Sequence, residues 1–320
     1  MVTTPDFLPE NKTLTPELVA TLPKICLQSR GDLSTILAQA KNRHVMYVEH
    51  LAAVADVPRL ANIAEESSIM VGFVVDCTGP ADLEAIMDDP TGLIVGAVAH
   101  TPEVAALLRN ALVPYVYNGS VLEQVIYAAA RITDAIGLVS DFQLTDDAEI
   151  IPPGAAVFVL DRNLPLLCQP AEDIRQEKIE IMSDHPLVLL DSMGFNVAVD
   201  DMTAEVIEAT ELEIDQYYRL LHNTLEASFL PMRTRMALRE QVIEPAFAEL
   251  VDAATDVSSS SPASSWRACR SAMRSCAVSA TPCRAGSRKA FVLPVPVGAD
   301  ATRSLPESST GMACSCTGEG

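Results

Sequence analysis

Polar residues that could carry out chemistry recur at the ends of five short apolar runs. The runs 44–48, 69–75, 93–99, 113–117 and 136–139 end, in that order, at Glu49 and His50, at Asp76, at His100, at Asn118, and at Ser140 and Asp141. A carboxylate beside an imidazole can share acid–base chemistry, because burial and mutual charge bring their pKa values towards neutrality. We therefore predict Asp76 and His100 as a catalytic pair. Ligand-binding candidates are Glu49, Asn118, Ser140 and Asp141.

Two other interpretations of these residues stay open. Two or three carboxylates at one edge could hold a divalent cation through oxygen ligands, although the sequence identifies no metal ligand and no cofactor. Polar residues also follow strands in any α/β protein, because loops are solvated and Asp, Asn and Ser begin helices. On that interpretation Asp76 caps the following turn, and Asn118 lies in a turn with Gly119.

The spacing of the runs predicts the elements that position these residues. The runs are rich in Val and Ile, and helix-start signals separate them, such as Thr101-Pro102-Glu103 and Ser120 with Glu123. Strands that alternate with helices form parallel sheets, which bind ligands beyond the carboxyl ends of their strands. We predict an α/β fold with a mainly parallel sheet of about five strands and a site at that edge.

The pattern divides the chain into segments. Residues 1–43 are predicted as an N-terminal helical lead, 44–141 as the parallel core and 142–200 as a small antiparallel addition. The addition would contain two hairpins, one within 155–168 and one within 187–199. Residues 201–257 are predicted as C-terminal helices, with Pro245 kinking the second.

The predicted helix 202–230 carries an apolar stripe with two interpretations. Its members recur at intervals of three and four: Ile207, Thr210, Ile214, Tyr217, Leu221 and Leu225. This spacing is typical of a face that packs on the sheet. It is also close to a heptad, so the helix could form a homodimer seam in a non-catalytic assembly protein.

Residues 258–320 differ from the rest in composition. They contain five of the eight Cys and the single Trp, and no apolar period of 2 or 3.6 residues survives. A frameshifted reading of a GC-rich gene would give this composition, and so would a natural disordered tail. The cysteine spacing does not match that of a zinc site.

Charge and hydropathy exclude some partners. A net charge of −21 repels phosphate backbones, so we expect no nucleic-acid partner. No apolar stretch approaches the length that spans a bilayer, and the N-terminus lacks a signal-peptide pattern. We expect a cytoplasmic protein without a membrane partner and with reduced thiols at Cys26, Cys77 and Cys168.

Residues 69–133 resemble the second half of a response-regulator receiver domain. Asp76 and Pro80 match the family's phosphate-accepting Asp and the Pro four residues later, and the following strands and helices come in the family's order. The resemblance implies phosphorylation at Asp76. The chain departs from the family at Ala99-His100, where a receiver has a small hydroxyl residue, and at Asn118-Gly119, where it has Lys-Pro.

These observations lead to three functional hypotheses. The first is a small-molecule-binding protein, with enzymatic acid–base or metal-assisted chemistry at the carboxyl ends of the strands. The second is a degenerate receiver-like regulatory module. The third is the assembly protein that uses helix 202–230. No nucleotide-binding, hydrolase or metalloprotease fingerprint is present to name a substrate.

Overall fold

A five-stranded parallel sheet forms the centre of the protein. The computed structural model describes residues 14–147 and 149–255. The strands are β1 (Lys24–Ser29), β2 (Val45–Ala53), β3 (Met70–Cys77), β4 (Ile94–Ala99) and β5 (Tyr115–Tyr117). They lie in the order β1-β2-β3-β4-β5, and each pair of neighbours is parallel. The predicted fold class, a mainly parallel α/β sheet of about five strands, is confirmed.

Helices connect and cover these strands. In chain order they are α1 (Pro16–Thr21), α2 (Leu33–Asn42), α3 (Val57–Glu66), α4 (Pro80–Met87), α5 (Pro102–Asn110), α6 (Val121–Ile126), α7 (Ala135–Ser140), α8 (Gly154–Asp161), α9 (Pro170–Arg175), α10 (Leu187–Ser192), α11 (Ala204–Thr210), α12 (Ile214–Ala227), α13 (Met232–Leu238) and α14 (Glu244–Thr255). The predicted start signals are confirmed. Thr101 caps α5 through its side chain, and Ser120 and Glu123 form a capping box at α6.

One of the five predicted strands is a helix, so that prediction is wrong. Strands β2 to β5 coincide with the first four apolar runs, but the fifth run, 136–139, lies in α7. Asp134 begins that helix by accepting a hydrogen bond from the Gly137 N–H at 3.1 Å. The missing fifth strand is β1, which lies in the lead predicted as helical.

Four shorter strands follow. They are β6 (Gln143–Leu144), β7 (Ile150–Ile151), β8 (Leu166–Cys168) and β9 (Val197–Val199). Strands β6 and β7 form a small antiparallel sheet, as predicted for this region, whereas β8 and β9 are parallel. The two predicted hairpins are wrong, because the apolar runs before β8 and β9 form helices α8 and α10.

Backbone hydrogen bonds continue from the five-stranded sheet into a closed ring. The Ala130 N–H donates to the Tyr115 carbonyl at 2.9 Å, and the Leu167 N–H donates to the Ile132 carbonyl at 2.7 Å. On the other side, the Leu27 N–H of β1 donates to the Asp200 carbonyl after β9, also at 2.7 Å. The segment around Ile132, β8 and β9 therefore complete an α/β barrel that β1 to β5 begin.

The barrel interior is filled by side chains from alternate strand positions. Val74, Val98 and Val116 pack against one another there. Below them Phe229, from the segment after α12, lies against Gly96. The phenylalanine fits because a glycine faces it: a Cβ on Gly96 would stand 2.2 Å from Phe229 Cδ2.

The C-terminal helices differ from the single long helix predicted for 202–230. Glu211 adopts a left-handed conformation (φ 51°) and separates α11 from α12. The stripe of α12 is buried within the chain, where Ile214, Tyr217 and Leu221 belong to the same core as β8 and β9. A π-helical turn at Arg239–Ile243 precedes Pro245, close to the predicted kink.

The sheet order rules out a receiver domain. Receivers are doubly wound sheets with the strand order 2-1-3-4-5. Here the strands follow one another in sequence, and the sheet curves into a barrel around Val74, Val98 and Val116. The resemblance of residues 69–133 to a receiver is therefore wrong, because strand–helix alternation is common to both architectures.

The predicted tail, 258–320, lies outside the residues that the structure describes. Within residues 14–147 and 149–255, no helix has the length and apolar character needed to cross a bilayer.

Candidate functional site

Three of the predicted site residues meet at the mouth of the barrel. Asp76, His100 and Asn118 each lie two positions after an interior valine: Val74, Val98 and Val116, respectively. Because side chains alternate along a strand, all three point towards the barrel axis at the carboxyl ends of the strands. His100 Nε2 lies 3.0 Å from Asp76 Oδ1, and His100 Nδ1 lies 3.1 Å from Asn118 Nδ2.

These contacts assign one tautomer to His100. The Asn118 amide nitrogen can only donate, so His100 Nδ1 accepts its hydrogen bond. In the same arrangement His100 Nε2 donates to the Asp76 carboxylate. Both ring nitrogens are therefore engaged, in a hydrogen-bonded chain that we call the Asp76–His100–Asn118 relay.

The relay lines a cavity of about 580 Å³, which we call the mouth cavity. Its other polar lining residues are Gln28, Arg30, Tyr117, Gln124, Thr133, Asp134, Gln169, Gln176 and Lys178. They come from the ends of β1 and β5 and from the loops and helices after β5 and β8. Such a volume suits a drug-sized or nucleoside-sized ligand.

Sequence reasoning missed the residues on the far side of the mouth cavity. Gln28 lies on β1, Gln169 follows β8, and Lys178 follows α9. Lys178 Nζ bridges two carboxylates, Asp134 at 3.2 Å and Asp173 at 3.1 Å. The polar endings of β1 and β8 carry the same signal as Asp76, but the sequence predicts a helix for the β1 segment and an antiparallel hairpin for the β8 segment.

The structure places Glu49 and His50 away from the cavity. Glu49 points into the lower barrel interior, where it pairs with Arg131, and neither side chain is exposed. His50 points outwards, 3.1 Å from Ser29 Oγ, and burial lowers its pKa. Strand β2 continues for three residues beyond His50, to Ala53, so both residues lie below the mouth of the barrel.

Ser140 and Asp141 also lie outside the mouth cavity. Ser140 ends α7 and donates to the Gly137 carbonyl at 2.9 Å, and Asp141 follows as the C-cap of that helix. Their apolar run is a helix rather than a strand, so their side chains are not carried to the edge of the sheet.

A second cavity of about 570 Å³ opens at the seam where β9 meets β1. Gln28, Arg30 and Gln169 line both cavities, and the Gln169 amide donates to Gln28 Oε1 at 3.2 Å between them. The seam cavity also contains Asp200, whose pKa is raised by burial and by the neighbouring charge of Asp201. Asp201 itself accepts a two-pronged ion pair from Arg43.

Curated relatives of the chain include adenosine deaminases. Adenosine deaminase 1 of Streptomyces coelicolor is 25% identical over 134 residues, which cover 38% of this chain and 34% of that protein. The adenosine deaminase of Mycobacteroides abscessus is 26% identical over 144 residues, covering 39% and 40%, respectively. The chain thus spans well under half the length of the curated relatives it matches. No family model matches the chain.

Solved structures of deaminases and amidohydrolases share the fold. A cog1816 amidohydrolase from Burkholderia ambifaria, described with bound Zn, has a TM-score of 0.52 and 13% identity, covering 70% of this chain and 74% of that one. Arabidopsis ADAL complexed with IMP has a TM-score of 0.53 and 10% identity, covering 68% and 78%. This likeness shows that the chain shares the fold of these structures, which agrees with the sheet order in excluding a receiver.

The residues at the mouth do not fit the zinc ion of the amidohydrolase. Zinc sites use three or four ligands chosen from Cys, His, Asp and Glu. Among the described residues no group of three or more such side chains is placed to hold a metal ion. Amide and cationic side chains, including Gln28, Arg30 and Lys178, occupy much of the lining instead.

Proposed function

We propose that this chain binds a purine nucleoside or nucleotide in the mouth cavity. The observation that carries the proposal is the Asp76–His100–Asn118 relay at the lip of a cavity of about 580 Å³. The second carboxylate oxygen of Asp76 and the amide of Asn118, both positioned by His100, offer hydrogen-bond acceptors and a donor side by side. A heterocycle with alternating ring nitrogens and exocyclic groups requires such partners.

The comparisons support the purine class. The curated relatives are named for adenosine, and a structural neighbour is described in complex with IMP. Ligands of α/β barrels bind at the carboxyl ends of the strands, where the mouth cavity lies. Glu49, Ser140 and Asp141 are not included in the proposal, because none of them lines this cavity.

Binding measurements on matched variants test the proposal. We expect isothermal titration calorimetry to detect binding of adenosine or IMP, and His100→Ala and Asp76→Ala to weaken it by about tenfold or more, since each deletion removes a hydrogen bond. Asp141→Ala is the matched control, an exposed carboxylate outside the cavity. Equal affinity in all four proteins, or no binding of any purine to the wild type, would contradict the proposal.

Acid–base catalysis by Asp76 and His100 is the second candidate. The 3.0 Å contact between the two side chains favours it, because a carboxylate that accepts from an imidazole N–H holds the ring in one orientation at the edge of the cavity. Hydrolytic deamination would consume water and release ammonia. Ammonia release from adenosine that disappears in His100→Ala supports catalysis, whereas binding without ammonia release limits the protein to the binding role.

A further inference from the structure

We infer that the mouth cavity takes its ligand without a resident metal ion, so that Asp76 Oδ2 and the Asn118 amide, which the relay leaves open, recognise the purine directly through hydrogen bonds. This inference rests on the proposed function, because it concerns the same cavity. It departs from the structural neighbour described with bound Zn. Four observations on the side chains of this cavity support it.

The first observation is that His100 has no free nitrogen lone pair. Its Nε2 donates to Asp76 Oδ1, and its Nδ1 accepts from Asn118 Nδ2. A metal ion binds an imidazole through a deprotonated ring nitrogen. Zinc could therefore reach His100 only by displacing Asn118 or Asp76 from the relay.

The second observation concerns the other carboxylate of the cavity, Asp134. Its Oδ1 accepts hydrogen bonds from the Gly137 N–H at 3.1 Å and from Lys178 Nζ at 3.2 Å. Asp134 therefore already caps the start of α7 and forms an ion pair with Lys178. A zinc ion at this carboxylate would displace a lysine that also holds Asp173.

The third observation is the charge of the lining. Arg30 and Lys178 place two cationic side chains in the same cavity as Asp76 and Asp134. Zinc sites in proteins bring anionic or neutral donors to within about 2.0–2.3 Å of the ion, and nearby cations oppose its binding. The same cations suit the negatively charged or carbonyl oxygens of a nucleotide.

The fourth observation is that the described cysteines cannot complete a zinc site. Cys77 and Cys168 are buried, and burial raises the pKa of both thiols. Cys26 lines the seam cavity rather than the mouth cavity, and burial together with the charge of Asp201 raises its pKa well above the usual value. A cysteine binds zinc as its thiolate, so these buried thiols, none of which lines the mouth cavity, are poor donors.

Zinc content and purine affinity, measured together on the full chain, test the inference. The protein is produced with added zinc, desalted and analysed for metal by mass spectrometry. Adenosine and IMP are then titrated by calorimetry in buffer with EDTA and in buffer with added zinc. We expect no stoichiometric zinc dependent on Asp76 or His100, and purine affinities that agree within about twofold in the two buffers.

Two results would overturn the inference. One is a zinc ion for each chain that is lost in both His100→Ala and Asp76→Ala but kept in Asp141→Ala. The other is a purine affinity that falls by about tenfold or more in EDTA and recovers with zinc. If zinc stays sub-stoichiometric and no purine binds in either buffer, the proposed function fails while the relay stands as a metal-free site.

Discussion

Glu49 and Arg131 form an ion pair inside the barrel, with neither side chain exposed to solvent. Arg131 also donates to the Ala227 carbonyl at 3.0 Å and lies 4.3 Å from the centroid of the Phe229 ring. Glu49 accepts from the Phe229 N–H at 3.3 Å. Through these contacts the pair fastens the segment after α12 to the bottom of the barrel, beneath the candidate site.

Removal of one member of this pair should strongly destabilise the protein. We expect Arg131→Met to lower the free energy of unfolding by about 3–5 kcal/mol, because Glu49 is then left as an unpaired buried charge. The double variant Glu49→Leu/Arg131→Met should recover most of that loss. Urea denaturation gives both values. Arg59→Met, in the exposed pair with Asp56, is the control and should change little. A double variant no more stable than Arg131→Met would contradict the explanation.

Gly96 should tolerate no side chain, because Phe229 occupies the space of its Cβ. We expect Gly96→Ala to cost about 1–3 kcal/mol of unfolding free energy through overpacking. Adding Phe229→Leu should relieve part of this cost. Gly154→Ala is the matched control, since it lies at the start of α8 with no atom within 4 Å of the added Cβ. Equal stability of the two alanine variants would show that Phe229 does not pack at Gly96.

The stripe of α12 should contribute to folding rather than to dimerisation. Ile214 is fully buried within the chain, so Ile214→Ala should cost about 2–5 kcal/mol in denaturation by leaving a cavity. Leu122→Ala, at an exposed position on α6, should cost far less. Light scattering on both variants checks the alternative. A lower mass for Ile214→Ala at unchanged stability would favour a dimer seam.

Because of Lys24, the free energy of unfolding should change with pH in the alkaline range. Burial lowers its pKa from the usual value to about 8, while its ammonium donates to the Leu22 carbonyl at 3.0 Å. Between pH 8 and the unfolded pKa, the unfolded chain binds the proton that the folded chain has lost, so this group makes stability rise with pH. The slope is at most about 1.4 kcal/mol per pH unit.

Comparison with Lys24→Met isolates that contribution. Buried tyrosines and thiols have raised pKa values in the folded protein, so they make its stability fall as the pH rises. The informative quantity is therefore the difference in unfolding free energy between the wild type and Lys24→Met. Urea denaturation of both at pH 7 and above pH 9 should show a rise in wild-type stability relative to the variant. A constant difference would mean that Lys24 keeps its usual pKa.

The sequence was sufficient to predict the part of the site that follows strongly apolar strands. Asp76 lies near the end of β3, His100 follows β4, and Asn118 follows β5. The Val-rich runs of these strands are typical of buried parallel strands. Strand β1 was missed because Lys24 and Gln28 interrupt its apolar residues, although both are buried. Ring closure depends on three-residue strands and on a few backbone hydrogen bonds, which leave no periodic pattern.

The run 136–139 is predicted as a strand but lies in helix α7. Four apolar residues are compatible with either a strand or a buried helix, and only flanking residues distinguish them. Asp134 is the helix cap that decides the outcome here. Because the run is a helix, Ser140 and Asp141 lie outside the mouth cavity.

The location of a bound purine tests the central claim most directly. A crystal structure of the full chain soaked or grown with IMP should show the base within hydrogen-bond distance of Asp76 and Asn118 in the mouth cavity. A ligand in the seam cavity between β1 and β9, or an empty mouth cavity at saturating IMP, would contradict the claim.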